Sequence, residues 1–556
     1  MADRFGRRPF LLTGVAAAAG ALAGTGSLRA GPAGATVPAS GKTNGPGRNG
    51  IPTTRPRRGG TLVYGTDSEV QGFNNTANQW DENGFNYAKT VFDPFLAVTT
   101  TGRLVPYLAE SVTPNADFTT WTVTLRPDLV FHDGTPCDGA AFYSNIETVA
   151  NSILAKAVFS QFVKDATQTG PLSVRLDMHG PWAAFPYYLS SASQIGYMLA
   201  PSMLANPNGA EHPIGTGPFV YTAWVPNTHF TAVRNQHYWR KGLPHLDSVT
   251  YKPIVDPTSA AEALQLGSVD MINTNTASII KEYRGNRQWS YVDNSLDVVG
   301  EPTVDCILLN CAAPPFSDRN ARLAMAKAYT QAAICRTFGL EVNTPVTSPF
   351  PPGTQYHEKT TYPGYDPAGA RAAVEAYEHA HGQTPSFTLR CPPDPQTQRV
   401  MTYLQQRYQD VGMTVSLSSV AQNTMIEDVA FGTFQAVAWR QFGAVDPDAN
   451  YVFWAADTVE GSGISLNFAR NKDPRIQRAL TSARQSDSPA ARTAAYRSIG
   501  EYLAQDLPYT WLGRSVWAVV ANPKVQNFNN PQAPDGSAII GLSGGSTWPT
   551  SVWIGS

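Results

Sequence analysis

QRVMTYLQQRYQDVGMTVSL, residues 398–417, changes its repeat halfway along. Val400, Met401, Leu404 and Tyr408 recur at helical spacing, Gly412 supplies a stop, and Met413, Val415 and Leu417 then alternate with polar neighbours as a strand does. A helix running through a glycine into a strand is the repeat unit of an α/β fold. The same alternation extends outward in both directions. TLVYGTD (61–67), WTVTLRPDLVF (121–131) and SVRLDM (173–178) read as strands, and helices are expected around 140–163 and 258–266. VDCILLN opens a second block near residue 303. DRNARLAMAKAYTQAAI (318–334) follows as a helix capped by Asp318. Helical spacing returns at 474–484 and 489–504, and VWAVVANP (516–523) supplies a closing strand. Two α/β blocks are expected, with the last strand returning to the first block. More than one connection between the blocks favours a hinge over a flexible tether.

The chain has 556 residues, and nearly 500 of them follow an unusual start. Arg4, Arg7 and Arg8 precede the apolar run from Phe10 to Ala23, which is too short for a comfortable membrane span and reads as an export signal over 1–35. RRPFLL resembles a twin-arginine signal, with the general export route as the alternative. No cysteine precedes Cys137, so no N-terminal lipid anchor is expected, and the mature protein is expected outside the cytoplasm. Residues 36–58, rich in Gly, Pro, Thr and Arg, read as a disordered linker.

With 42% hydrophobic and 15% charged residues and a formal net charge of −2, the chain has no basic surplus to recruit nucleic acid. The remainder is too long for one core, and two or more domains are expected. Five cysteines lack the spacing of a zinc module or disulfide scaffold. Cys306 and Cys311 admit either a local disulfide or buried thiols.

Catalytic patterns are missing. Ser278-Ile279-Ile280-Lys281 satisfies S-x-x-K without its S-D-N and K-T-G companions, and H-E-x-x-H, G-x-S-x-G and G-x-G-x-x-G after a strand do not occur. His132-Asp133 precedes Gly134 in a turn, and adjacent side chains do not face one another. His379 and His381 belong to an exposed helix end. No catalytic residue, metal or cofactor is expected.

Gly215 and Gly217 in GTGPFVYTAW (215–224) permit a tight backbone passage, with Pro218 fixing the exit. Tyr238 and Trp239 give broad apolar faces that pack a loop on the core, and Gly267 ends a helix ahead of Val269-Asp270. These segments, together with WTVTLRPDLVFHDGTPCDGAAFYSNI (121–146), RNQHYWRKGLPHLDSVTYKPI (234–254), ALQLGSVDMI (263–272), LLNCAAPPFSDRNARLAMAKA (308–328) and YLQQRYQDVGMTVSL (403–417), resemble in order the family 5 extracellular solute-binding proteins, which serve peptide and related uptake transporters.

That resemblance implies a periplasmic-binding-protein-like Venus flytrap of class α/β, with two lobes and an accessory subdomain in the larger lobe. It implies a large lobe over 59–302, a second lobe over 303–511 and a return to the first over 512–556. The expected protein is a monomer that captures a peptide or other small solute between its lobes and delivers it to an ABC permease in the membrane, without chemistry. In the peptide binders that it resembles, the segment like Glu69-Val70-Gln71 faces the one beginning at Trp439, and both offer backbone hydrogen bonds to an extended peptide. The implied ligand-binding residues are Glu69, Val70, Gln71, Phe73, Trp439, Arg440, Gln441, Phe442 and Asp446.

One departure matters. Peptide-binding relatives place an aspartate three residues after this tryptophan to receive the peptide's amino group, and here Phe442 stands there. The spacing from Trp439 to Asp446-Pro447 is also longer by one residue, so Asp446 or Asp448 replaces that contact only by turning inward. The alternatives are an amphiphilic solute such as a glycoconjugate, siderophore or natural product, held by Phe442, Trp439, Phe73 and Tyr451 with Arg440 on an anionic group, or an enzyme evolved on the same scaffold.

Overall fold

The computed structural model describes residues 50–555 apart from 79, 153–158, 160–161, 296–298, 300–302, 442–443 and 457–464. The export signal expected over 1–35 and residues 36–49 of the expected linker lie outside the described residues. The linker's last residues are tied down. Thr53 donates its backbone N–H to Gln526 Oε1 (2.8 Å), and Trp553 Nε1 donates to the Thr54 hydroxyl (3.1 Å).

Two lobes are each built on one sheet, and an extra subdomain has a third. The first lobe's seven strands run, in spatial order, Ser290–Asp293, Ala518–Ala521, Met271–Thr274, Thr61–Thr66, Ser248–Pro253, His229–Arg234 and Phe219–Val225. Thr61–Thr66 pairs in parallel with strands on both sides, Tyr64 facing Tyr251 and Met271 in register. The second sheet runs Thr414–Ser419, Ser386–Cys391, Ala436–Gln441, Val304–Leu309 and Tyr509–Arg514. A four-stranded antiparallel sheet, Ala109–Pro114, Thr120–Leu125, Ser173–Met178 and Val163–Gln168, forms the extra subdomain.

The quoted stretch folds as read, with a helix over Pro395–Gln409, Gly412 at φ 99° and a strand over Thr414–Ser419. Elsewhere the boundaries moved. The 121–131 stretch is a strand only to Leu125, because Pro127 has no N–H for a ladder and Asp128 turns with φ 60°. The helix expected around 140–163 is interrupted: Gly139–Asn151 is helical, Ser152 is not, Phe159 and Phe162 are again helical, and at Val163 a strand begins. The helix expected over 318–334 breaks into Arg319–Lys327 and Gln331–Thr337, since Tyr329 turns inward to donate to the Trp511 carbonyl at 2.7 Å. Asp318 caps the first of these through Asn320 N. All five cysteines carry free thiols, four of them buried.

Sequence glycines mark a close crossing. A Cβ added to Gly217 would lie 2.5 Å from the Val91 carbonyl oxygen, and one on Gly215 would lie 2.3 Å from the same atom. His132 Nε2 reaches the Gly217 carbonyl (3.0 Å), and burial lowers its pKa to about 4. Beside this crossing, buried Asp93 accepts from Thr216, Tyr238 and Trp239, which is what packs that loop on the core.

Two segments connect the lobes, one running from Asn294 to Thr303 and the other over Ser515–Trp517. They are stitched to each other. Asn294 N donates to the Trp517 carbonyl (3.0 Å), Trp517 N returns to Asn294 Oδ1 (2.9 Å), and Ser515 N donates to the Thr303 carbonyl (3.0 Å).

Candidate functional site

The strand Ala436–Gln441 lies in the second lobe's sheet. On one side it pairs over its whole length with Val304–Leu309, Trp439 opposite Cys306 and Arg440 opposite Asp305. On the other side its parallel ladder with Ser386–Cys391 ends at Arg390 and Val437. Residues 438–441 therefore run past their neighbour with one backbone edge outside any ladder, which is where an extended ligand could add hydrogen bonds.

Arg440 is the most exposed chemistry on this strand. Its Nε lies 3.6 Å from Asp305 Oδ1, and 37% of its side chain remains exposed. Asp305 engages the guanidinium as ion-pair and hydrogen-bond partner, and the exposed part of the fork is left to a planar anion. Burial works against its charge, but Asp305, Glu82 and Asp67 outweigh that and raise its pKa.

Glu82 and Asp67 belong to the first lobe, each at the end of one of its elements. Asp67 follows the strand Thr61–Thr66, and Glu82 begins the helix Glu82–Val91, which Asp81 caps by accepting from Gly84 N at 2.8 Å. A polar floor holds Asp67. It accepts from Asn83 Nδ2, Asn83 accepts from Asn273 Nδ2 (2.8 Å), and Asn273 in turn accepts from Asp67 N (3.2 Å). Ser68 donates to Asp81 at 2.8 Å. Glu82 makes no side-chain hydrogen bond among the described residues. Desolvation pushes Glu82 up to about 7 and Asp67 up to about 6, with Arg440 pulling both back. Arg440 of the second lobe, paired with Asp305, thus shares its electrostatic field with the Glu82 and Asp67 carboxylates of the first.

Several of the expected first-lobe side chains are engaged within their own lobe. Glu69 accepts from Trp224 Nε1 (3.2 Å) and from Asn227 N (2.6 Å), so its carboxylate holds the hairpin turn near 226–228. Val70 is buried, and Phe73, 1% exposed, packs among Tyr87, Trp224 and Phe230. Gln71 is exposed.

In the second lobe Trp439 is half-buried, edge-on to Phe468 at 5.5 Å. The Gln441 amide turns inside to Asn450 (2.9 Å). Phe442 lies outside the described residues. Asp446 is fully buried, paired with Arg492 and accepting from Asp448 N at 2.8 Å. Asp448 is likewise paired with Arg484 at 2.9 Å, and Tyr451 is buried against the same arginine. Both aspartates are held by arginines of their own lobe.

Sequence reading missed Asp67, Asp81 and Glu82. The signal available was the run Trp80-Asp81-Glu82-Asn83, a capping aspartate followed by a second carboxylate at a helix start. Its position opposite Arg440 depends on two sheets far apart in sequence. Among the described residues, no group of three or more His, Cys, Asp or Glu side chains could hold a metal ion.

Comparison with known proteins agrees with this architecture. The chain is 24% identical over 465 residues to the glutathione-binding protein GsiB of Pectobacterium atrosepticum, covering 79% of this chain and 86% of that one. It is 25% identical over 447 residues to GsiB of Escherichia coli O157:H7, covering 76% and 83%. Among solved structures, the periplasmic binding protein DppA of Helicobacter pylori in complex with peptide STSA superposes with a TM-score of 0.76 at 17% identity, over 90% of this chain and 99% of that one. AgaA of A. tumefaciens R10 in complex with agropinic acid gives 0.74 at 19% identity, over 89% and 99%. These likenesses establish the bilobed Venus-flytrap fold with its extra subdomain. The family profile of the bacterial extracellular solute-binding proteins, family 5 (middle), matches residues 103–463, more than half of the chain, and the chain belongs to that family.

Proposed function

We propose that this protein captures a peptide-like solute carrying both charges in the cleft between its lobes and delivers it unchanged to an ABC permease. The observation that carries this reading is that Arg440, partly exposed beside Asp305 in the second lobe, feels the charges of Glu82 and Asp67 in the first lobe, as they feel its own. A ligand carboxylate fits the guanidinium in a bidentate pair, and a ligand ammonium fits Glu82 and Asp67. The edge of residues 438–441 adds backbone hydrogen bonds that do not depend on side-chain identity. In this reading the amino group is received by the first lobe, and Phe442 needs no substitute within its own loop. The protein acts outside the cytoplasm as a monomer.

The experiment is capture from a mixed library. Purified, refolded protein is equilibrated with short peptides, glutathione and non-peptide amphiphiles, and the retained material is identified by mass spectrometry. Recovery of intact zwitterionic peptides supports the reading. Retention of uncharged or purely apolar solutes, or recovery of cleaved products, overturns it.

A further inference from the structure

The lobes also meet through a set of buried side chains. Trp182 follows the extra subdomain's strand Ser173–Met178, and its indole N–H donates to Asp448 Oδ2 of the second lobe at 2.8 Å. The Tyr188 hydroxyl donates to the Asp448 carbonyl (3.2 Å), and Ala183 N donates to the Arg484 carbonyl (2.9 Å). The Arg484 guanidinium carbon lies 3.8 Å from the Phe162 ring of the subdomain, 3.8 Å from the Tyr451 ring of its own lobe and 4.9 Å from Trp182. Trp182 is 2% exposed and Asp448 2% exposed.

How the charges are divided decides what this contact can do. Asp448 and Arg484 pair within the second lobe, at 2.9 and 3.0 Å. Separation of the lobes therefore leaves no lone buried ion, which would be the costly outcome. Among the described residues, separation loses three hydrogen bonds, the Phe162 and Trp182 faces over Arg484, the edge contact of Phe162 with Tyr451 and the packing of Val445 on Val98 and Tyr187, and water can replace the hydrogen bonds. The contact is strong enough to bias an equilibrium and weak enough to release. Asp446 sets it up from behind. Paired to Arg492, it caps the turn Pro447–Asn450 that carries Asp448 toward Trp182.

We propose that Trp182, Tyr188, Asp448 and Arg484 form a ligand-independent latch that favours the closed arrangement of the lobes, and so sets how long a solute stays bound. Ligand and latch then act on one equilibrium, and loosening the latch weakens binding without altering any ligand contact. These four are positioning residues for closure.

The test uses Trp182→Phe, which keeps a ring and removes the N–H, and Tyr188→Phe, which removes one hydroxyl. Small-angle scattering of the ligand-free proteins reads the latch directly and needs no knowledge of the solute. A larger radius of gyration than wild type is expected in both, with circular dichroism unchanged. With glutathione or trialanine as probe, dissociation is expected to quicken by about tenfold in Trp182→Phe while association stays near wild type. Folded variants whose ligand-free scattering superimposes on wild type overturn the proposal. If Trp182→Phe does not fold, the scattering of Tyr188→Phe decides. If wild type binds neither probe, it is the charged-peptide reading that suffers, and the scattering comparison still decides the latch.

Discussion

Asp446 and Arg492 are ion-paired in the interior of the second lobe, with 1% and 6% of their side chains exposed. Arg492 also donates to the Ala483 carbonyl at 2.5 Å, so the arginine joins the segment after the central strand to the helices Pro474–Gln485 and Pro489–Asp506. Replacing Asp446 by Asn leaves a buried guanidinium without its counter-charge. Asp446→Asn is expected to lose about 3–5 kcal/mol of stability, read from the midpoint of urea unfolding.

Arg440→Ala addresses the cleft instead. Its guanidinium is partly exposed and its nearest carboxylate is 3.6 Å away, so the fold depends on it little. Affinity for a peptide with a free carboxylate is expected to fall by roughly 1.5–3 kcal/mol, the range of a hydrogen bond to a charged group. The C-terminally amidated peptide should bind wild type and variant alike. Calorimetry with the two forms separates these outcomes.

Acidity should act on both folding and binding. Burial raises Glu82 from 4.5 to about 7 and Asp67 from 3.8 to about 6, so the folded protein holds protons that the unfolded chain releases. Stability from these two groups is fully present below about pH 4 and is lost as pH rises through 6 to 7. A bound ammonium favours the ionised carboxylates and reverses the preference. Affinity for a peptide with a free amino group should therefore weaken as pH falls from 8 to 5, with protons released on binding. Calorimetry in buffers of differing ionisation enthalpy measures that release, and Glu82→Gln should abolish most of it.

Gly217→Ala tests the backbone crossing. The new methyl would sit 2.5 Å from the Val91 carbonyl, against backbone that cannot step aside as a side chain can. A loss of about 2–4 kcal/mol is expected, seen as a lowered melting temperature with the ligand specificity unaltered.

What could be read from sequence followed the range of the interactions. The helix and strand around Gly412, the cap at Asp318 and the crossing at Gly215 and Gly217 depend on neighbours within a few residues or on glycine itself, and they stand where expected. Glu69 was legible as a carboxylate but not as a clasp, since Trp224 and Asn227 lie more than 150 residues away. Phe73 reads like a pocket wall until Trp224 and Phe230 close around it. Asp446 has the same limitation, its partner being 46 residues further on. Arg440 was legible because its strand leaves it open, whereas Glu82 acquires its importance only from the opposite lobe.

The place of the last strand has a consequence for the order of synthesis. Ala518–Ala521 hydrogen-bonds between Met271–Thr274 and Ser290–Asp293, so the first lobe's sheet is split until that segment is made. The strands of the second sheet, by contrast, all fall between Val304 and Arg514. The lobe begun first is thus completed last. A chain that ends shortly after Arg514 carries a complete second sheet beside a first-lobe sheet with bare strand edges, and those edges are open to pairing with other chains.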